Sequence, residues 1–331
     1  MSLNGIEQQE VYVSIGICRL KLALLKTHVN LYGFSGYLFS GKLVKTILIR
    51  SAPRLEELFK PITGSMPKLL HISPLYRVKN NGETECIYSY AICNKAGTYV
   101  KCIDELKPVT LNGRYHFYVG FHQSVENVTN VLNALLNYSE CFEFMNQKVC
   151  VEIVEIVAWN AVELGRNLAT KVVNSGGLKL VFASPTMLRD PLRVGGRYKA
   201  FLPTPEIVFA TPVYAKQVAE GGYTTKRYRS ELLRLRRLFH ETYSVWGGVK
   251  VRWVYYGRRP EPALVGYVNY RVNYEYLDFL RQKLNVEQWL GEVFAYALAL
   301  GVGAGRATGF GHVEIKPLAE GNSARNQDEN L

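Results

Sequence analysis

The chain has 331 residues, 48% of them hydrophobic, and a formal net charge of +12, with an isoelectric point near 9.3. This length allows two domains with ordinary cores, and no segment is long and apolar enough to span a membrane. The positive charge indicates a polyanionic partner, most simply nucleic acid, although ribosome-like and membrane-surface proteins are also basic. The 22 tyrosines suit a nucleic acid, because aromatic rings beside basic residues can stack on unpaired bases.

The first half of the sequence predicts the element order β-α-β-β-α-β. A strand at 11–25 is followed by a connection rich in Gly, Tyr and Ser at 26–36, and a later hairpin turns at Asn80-Asn81-Gly82. Helices are predicted at 37–50, 53–60 and 125–136, and the other strands at 69–78, 84–93, 115–121 and 148–158. This order is typical of a ferredoxin-like domain.

The same order of elements then begins again, without an obvious repeat of the sequence itself. Strands are predicted at 178–183, 249–256, 264–272 and 312–315, and helices at 228–245 and 286–300. We therefore expect an α+β fold of tandem ferredoxin-like (RRM-like) domains. The predicted boundaries are 1–174 for the first domain, 175–318 for the second, and 319–331 for a polar, disordered tail.

The six cysteines include no CxxC pair and no spacing typical of a zinc finger. They are scattered through predicted strands, where we expect small buried residues in a reducing compartment. The start of the chain lacks a basic region leading into an apolar run, as a secretory signal would have. We therefore expect a soluble, cytoplasmic protein.

Five glycines lie within eleven residues between the last predicted helix and the last strand. Gly301-Val302-Gly303 and Gly309-Phe310-Gly311 flank a five-residue span that contains Gly305 and Arg306. Because glycine accepts positive φ and close approach of another molecule, we expect a loop shaped around a ligand. Nucleotide-binding loops run from a strand into a helix, so here the positive charge must come from Arg306 and other side chains. The alternative is a tight helix-to-strand turn.

With its spacing, this loop resembles the glycine-rich signature of the RAMP superfamily. The whole chain resembles the CRISPR-associated endoribonucleases of the Cas-six type, which cut repeat RNA into guide RNAs, and segments 67–75, 182–186 and 202–206 add to the likeness. The resemblance implies tandem ferredoxin-like domains that bind repeat RNA. It also implies metal-independent cleavage, in which the 2′-hydroxyl attacks the adjacent phosphate and leaves a 2′,3′-cyclic phosphate.

The resemblance also implies positions for catalytic residues, since this chemistry requires proton transfer and cations that offset charge on the phosphorane. A family lysine at the start of the second strand is matched by Lys68, but Lys60 stands where a histidine is expected. Two replacements remain open. Lys42 and Lys45 project from one face of the first predicted helix, as in members that use a lysine cluster. Alternatively, His28 lies in the predicted connection where other members keep their histidine.

Basic residues of the second half are predicted to hold the RNA backbone together with the glycine loop and Arg306. They concentrate in one predicted helix and in the following hairpin. The RNA-binding candidates are Arg227, Arg229, Arg234, Arg237, Arg258 and Arg271, with Gly301, Gly303, Gly305, Gly309 and Gly311 of the loop. A solvated helix face is the alternative for any one of the arginines.

No cofactor or metal is expected, because histidines and cysteines lack metal-ligand spacing and acidic residues do not form a two-metal cluster. The expected partners are CRISPR repeat RNA, as precursor and product, and other CRISPR effector subunits, with the protein a monomer or homodimer. The main alternative is a non-catalytic RAMP subunit that binds guide RNA. A general RRM-type RNA-binding protein is disfavoured, since no run resembles RNP1.

Overall fold

The computed structural model describes residues 21–60, 67–91, 106–136, 138–192, 199–242, 248–257 and 259–318. The first half of the chain contains eight strands and three α-helices within these ranges. They are β1 Leu22–Gly36, α1 Gly41–Ser51, α2 Glu56–Phe59, β2 Leu70–Ile72, β3 Tyr76–Val78, β4 Thr84–Cys86, β5 Tyr90–Ala91, β6 Val109–His122, α3 Val128–Leu136, β7 Ser139–Phe144 and β8 Gln147–Asn160.

The described part of the second half adds seven strands and six α-helices. They are α4 Ala161–Asn174, β9 Gly177–Thr186, β10 Leu188–Arg189, β11 Lys199–Ala200, α5 Pro205–Val208, α6 Ala210–Ala219, α7 Thr225–Leu238, β12 Phe239–Glu241, β13 Val249–Tyr256, β14 Arg259–Val272, α8 Tyr274–Arg281, α9 Val286–Leu300 and β15 Val313–Pro317. None of these helices is both long and apolar enough to cross a membrane.

The first sheet has the strand order β4-β3-β6-β1-β8-β7, and β2 also pairs with β6. Its pairs are antiparallel, so β8-β1-β6-β2 is the 4-1-3-2 order of a ferredoxin-like fold. Alternate residues of β1, such as Val29 and Leu31, share one buried cluster with Leu43 and Ile47 of α1. One face of this sheet therefore packs against α1 and α3, and the other face is left for the second half of the chain.

The second sheet has the order β15-β9-β14-β13-β5, with β12 beside β14. The order β15-β9-β14-β13 repeats the ferredoxin-like pattern, and this confirms the predicted tandem arrangement. The helices α6 to α9 cover one face of the sheet and form the second core with it. Strand β5 comes from the first half of the chain, yet it pairs with β13 at the edge of the second sheet.

The segment 26–36, predicted as a connection, is strand. Glycine and serine suggested a loop, but Gly33 is accommodated as a register shift inside β1, where its φ of +94° is tolerated without a side chain. A Cβ at this position would lie 2.3 Å from the carbonyl oxygen of Lys148 on β8. The glycine thus permits close strand contact rather than a turn.

Several elements were not predicted, among them β7, α4, α6 and α8. Helix α4 begins directly after a strand, with the Asn160 side chain accepting hydrogen bonds from the first turn, and its apolar face is made of small residues. Ala169, Val172 and Val173 of this helix pack in the second core, although the predicted boundary at 174 assigned them to the first domain. The domain boundaries remain a prediction.

Cys141 and Cys150 face each other across the β7–β8 hairpin and form a disulfide, with a Cα–Cα distance of 4.0 Å. The expectation of reduced cysteines is therefore wrong for this pair. The spacing of nine residues gave no sign of it, because only the antiparallel register of two strands brings the sulfur atoms together.

Candidate active site and glycine loop

Helix α1 presents two of the predicted catalytic lysines on its outer side. Leu43, Val44, Ile47 and Leu48 are buried in the first core, and this leaves the alternate positions Lys42 and Lys45 half-buried at the surface. The Lys45 ammonium lies 5.3 Å from the ring centroid of Phe59. The Lys42 ammonium lies 4.8 Å from the ring centroid of Tyr256, which belongs to the second sheet.

Lys68 joins these residues from the segment just before β2. Its Nζ donates a hydrogen bond of 3.1 Å to the carbonyl oxygen of Leu58. Burial lowers its pKa, and the positive charge of Lys45 lowers it further, so the two ammonium groups are near enough to repel each other. Burial also lowers the pKa of Lys42. Lys45 and Lys68 are therefore neighbours, and Lys42 lies three residues before Lys45 on α1. We call these three lysines the lysine centre.

His28 is placed elsewhere, which corrects the prediction that it lies in a connection. It stands in β1 directly opposite His116 of β6, and their ring centroids are 5.5 Å apart. Since Val29 and Leu31 point into the core beneath α1, the alternating His28 projects from the other face of the sheet. The sheet thus separates His28 from the lysine centre. Burial and the nearby Lys26 lower its pKa.

The glycine loop, Gly301–Gly311, is wedged between the two halves of the chain. All five of its glycines have positive φ. The N–H groups of Ala304 and Gly311 donate to the carbonyl oxygens of Met187 and Pro185, at 2.8 and 3.0 Å. Gly301, Gly309 and Gly311 are buried, whereas Gly303 and Gly305 are half-exposed.

On its other side the loop touches the N-terminus of α1. A Cβ on Gly41 would lie 2.4 Å from the carbonyl oxygen of Thr308 and 2.9 Å from the Cα of Gly309. Phe310 of the loop stacks on Phe39, with ring centroids 4.4 Å apart. The loop therefore fixes the position of the helix turn that carries Lys42.

Arg306 does not reach the surface, which corrects the prediction that it contacts phosphate. Its side chain is buried, with 7% of the residue exposed. The guanidinium donates to the carbonyl oxygens of Leu300 and Lys68, at 2.8 and 2.9 Å. Burial lowers its pKa to about 10, so it stays charged at neutral pH. Arg306 thereby ties the end of α9 to the backbone of Lys68.

Two buried histidines extend this contact between the halves. His71 Nδ1 donates to the carbonyl oxygen of Arg306 at 3.0 Å, since a carbonyl can only accept. In the neutral ring the other nitrogen of His71 then accepts from His312 Nδ1, 3.2 Å away. Burial holds the pKa of both rings below the usual range, to about 4 for His312. No group of three or more potential metal ligands occurs in the described part of the chain.

The predicted RNA-binding arginines fall into separate places. Helix α7 carries Arg229 and Arg237 exposed and Arg234 half-exposed on its outer side, while Arg227 pairs with Glu231 at 3.5 Å. The helix lies in the layer that covers the second sheet. Exposed Arg271 alternates with the buried Tyr270 on β14 and so projects from the other face of that sheet. Arg258 lies outside the described residues.

Three aromatic residues at the junction of the two halves, Phe39, Tyr88 and Phe310, were not among the predicted site residues. Phe39, Tyr88, Tyr256 and Phe310 form one cluster beside Lys42. The Gly-Phe-Gly triplet could have predicted that Phe310 is buried against another segment, because a large apolar side chain between two glycines of a loop is unfavourable in water. Nothing local in the sequence connected the other three rings to it.

Comparison with known proteins finds one matching family model. Residues 180–313 match the family model of the CRISPR-associated endoribonuclease Cas6. This part of the chain is therefore similar to the Cas6 endoribonucleases. This confirms the resemblance noted in the sequence. No curated protein matches the chain in sequence.

Solved structures of Cas6 proteins are similar over most of the chain. A product complex of the Thermus thermophilus Cas6 has a TM-score of 0.55 at 15% identity and covers 89% of this chain and 100% of its own. A second structure of that protein has a TM-score of 0.49 at 14% identity and covers 89% and 98%. A Cas6-related protein from Pyrococcus furiosus has a TM-score of 0.46 at 8% identity and covers 88% and 98%. At 15% identity, the first of these matches shows a similar fold.

Proposed function

We propose that this chain is a CRISPR repeat-RNA endoribonuclease that cuts without a metal ion. The 2′-hydroxyl before the cut attacks the adjacent phosphate, the bond to the 5′-oxygen breaks, and the upstream product keeps a 2′,3′-cyclic phosphate. The observation that supports this proposal is the lysine centre, in which Lys45 lies near Lys68 and Lys42 stands on the first turn of α1, against the glycine loop.

The lysine centre supplies what this reaction needs. The phosphorane carries more negative charge than the substrate, and fixed ammonium groups in a partly desolvated site stabilise it. Lys68 is the best placed to exchange a proton, because both burial and the charge of Lys45 lower its pKa. The proton lost by the 2′-hydroxyl and the proton gained by the 5′-oxygen can therefore pass through lysine amines. We expect slower chemistry than with a well-placed histidine.

The RNA backbone outside the cut is proposed to contact the arginines of α7 and Arg271. The lining of a pocket of about 490 Å³ at the start of α7 includes Lys226, Arg227 and Arg234, with the carboxylate of Glu231 paired to Arg227. The exposed Arg229 and Arg237 continue the positive charge along the same helix. Such contacts give affinity that falls with salt but give no base specificity. Of the glycine loop, the half-exposed Gly303 and Gly305 remain candidates for RNA contact.

A second candidate function is an RNA-binding CRISPR subunit that does not cut. It is favoured by the position of His28, because the sheet separates this histidine from the lysine centre. The two functions predict the same binding partner and differ in the fate of the RNA.

The test uses labelled repeat RNA in EDTA, beside a copy with a 2′-deoxy residue at the cut. We expect site-specific cutting that the deoxy residue abolishes, and binding of intact RNA alone would support the second function. Lys45→Ala should slow cutting by about 10²- to 10³-fold, and His28→Ala should leave it unchanged. Lys60→Ala is the matched control, because Lys60 is exposed and pairs with Glu57. If Lys45→Ala cut RNA at the wild-type rate and His28→Ala did not cut it, the catalytic site would have to lie on the other face of the sheet.

A further inference from the structure

Strand β5 and the residues just before it carry Tyr90 and Tyr88 across to the second sheet. Tyr90 pairs with Val254 of β13, and the N–H of Tyr255 donates to the carbonyl oxygen of Ser89 at 2.9 Å. Ser89 is buried, and its side-chain hydroxyl accepts a hydrogen bond from the N–H of Leu38. Because side chains alternate along a strand, Tyr88 and Tyr90 both project from the opposite side, where they are half-buried.

Cationic side chains lie over two of the rings at this edge. The Arg252 guanidinium is 5.0 Å from the ring centroid of Tyr90, and the Lys42 ammonium is 4.8 Å from that of Tyr256. The rings of Tyr88 and Tyr90 are 5.5 Å apart. We call Tyr88, Tyr90, Arg252 and Tyr256 the aromatic platform. Each of its four side chains is in partial contact with solvent.

The platform rests on a rigid floor. Phe39, Val254, Ala263 and Phe310 beneath it are buried and form a single cluster. Phe39 meets Tyr256 edge to face at 5.7 Å and Tyr88 at 6.4 Å. Since Phe39 lies two residues before α1 and Phe310 belongs to the glycine loop, the floor connects the platform to the helix that carries Lys42 and Lys45. Its rings therefore cannot move freely with respect to Lys42.

We propose that the aromatic platform binds an unpaired base of the RNA next to the cut and thereby sets which nucleotide is accepted there. This inference rests on the proposed function. Single-stranded RNA is recognised by stacking of splayed bases on tyrosine rings and guanidinium planes. Lys42 and Arg252 lie at the two ends of the row of rings, where they can contact the phosphates on either side of the stacked base. Tyr90 is the residue assigned to the stack, because its ring is covered by Arg252 rather than by the catalytic lysine.

The test measures binding of repeat RNA made uncleavable by a 2′-deoxy residue at the cut. Tyr90→Leu should bind about 5- to 150-fold more weakly, the range expected for loss of one stacked base. Tyr90→Phe keeps the ring and should bind within about twofold of the wild type. Tyr32→Leu is the control, because Tyr32 is an exposed tyrosine on β1, and it should bind as the wild type does. Thermal unfolding of each variant shows whether the fold is kept.

A scan with single abasic nucleotides locates the base. In the wild type, an abasic nucleotide at one position beside the cut should weaken RNA binding. Tyr90→Leu should bind RNA with this abasic nucleotide no more weakly than it binds the intact RNA. Arg252→Gln, which leaves the strand pairing intact, should weaken binding in the same direction. Equal binding by Tyr90→Leu and the wild type, or an equal loss at every abasic position, would overturn the inference. A wild type that binds but does not cut unmodified RNA would instead overturn the proposed function, because platform binding is measured without cutting.

Discussion

Gly41→Ala tests the link between the glycine loop and the lysine centre. The added Cβ would lie 2.4 Å from the carbonyl oxygen of Thr308 and 2.9 Å from the Cα of Gly309. Both are backbone atoms, so no side-chain rotation relieves the contact. Since carbon contacts are comfortable only near 3.5 Å, the helix and the loop must separate by about 1 Å. That shift displaces the turn that carries Lys42.

Two effects of this substitution oppose each other. Alanine is favoured over glycine in a helix by up to about 1 kcal/mol, and overpacking of a tight contact destabilises by about 1–3 kcal/mol. We expect the contact to dominate, with a net loss in the free energy of unfolding. A displacement of about 1 Å at a catalytic group slows a reaction on the order of 10²-fold, so the cleavage rate should fall more than stability alone explains.

Single-turnover cleavage and denaturant unfolding of the same preparation separate these effects. Gly82→Ala is the control: its φ is +80° and no atom lies within 4 Å of the added Cβ, so it should lose about 1–2 kcal/mol through backbone strain and keep its cleavage rate. Wild-type cleavage by Gly41→Ala, or equal slowing by Gly82→Ala, would refute the reasoning.

Two further predictions concern the buried contacts between the halves. Arg306→Ala leaves the carbonyl oxygens of Leu300 and Lys68 without their donor and should lower the free energy of unfolding by about 2 kcal/mol or more. The salt dependence of RNA binding should not change, whereas loss of a phosphate contact would reduce the slope by about 0.7. Burial lowers the pKa of His312 from 6.5 to about 4, so below pH 6.5 the unfolded chain takes up a proton that the folded chain refuses. This proton uptake should lower the free energy of unfolding by about 3 kcal/mol between pH 6.5 and 4. Denaturant unfolding of His312→Gln should show a smaller fall over this range. The same pH profile in His312→Gln and the wild type would contradict the prediction.

Much of the fold followed from local patterns. The apolar spacing of α1 and α9 and the turn between β3 and β4 predicted these elements close to where they lie, because the signals depend on neighbours in the sequence. The helix predicted at 228–245 ends earlier, because α7 stops at Leu238 and β12 follows it. Helix α6 was missed because it lacks such a local pattern. It is buried on several sides and contains Pro212, so it lacks the amphipathic spacing that marks a helix at a surface.

The sequence predicted which residue types form the candidate site. It predicted only in part how these residues are arranged. Lys42, Lys45 and Lys68 could be named in advance, since one helix and the start of one strand carry them. The role of His28 depended on which face of β1 it occupies, and one added or missing residue in a strand reverses the face. The platform around Tyr90 could not be foreseen, because it needs β5 to pair with a strand more than a hundred residues away.

By itself, the sequence established a basic α+β protein with two similar halves, a glycine loop of specific spacing, and a lysine-rich first helix. Local backbone preferences and side-chain periodicity are properties of short segments, so they can be read without coordinates. Only the tertiary structure decided that Arg306 is an interior contact, that His28 is separated from the lysines, and that Cys141 meets Cys150. These outcomes depend on which distant segments exclude water from one another, and that is determined when the two sheets and their helices pack.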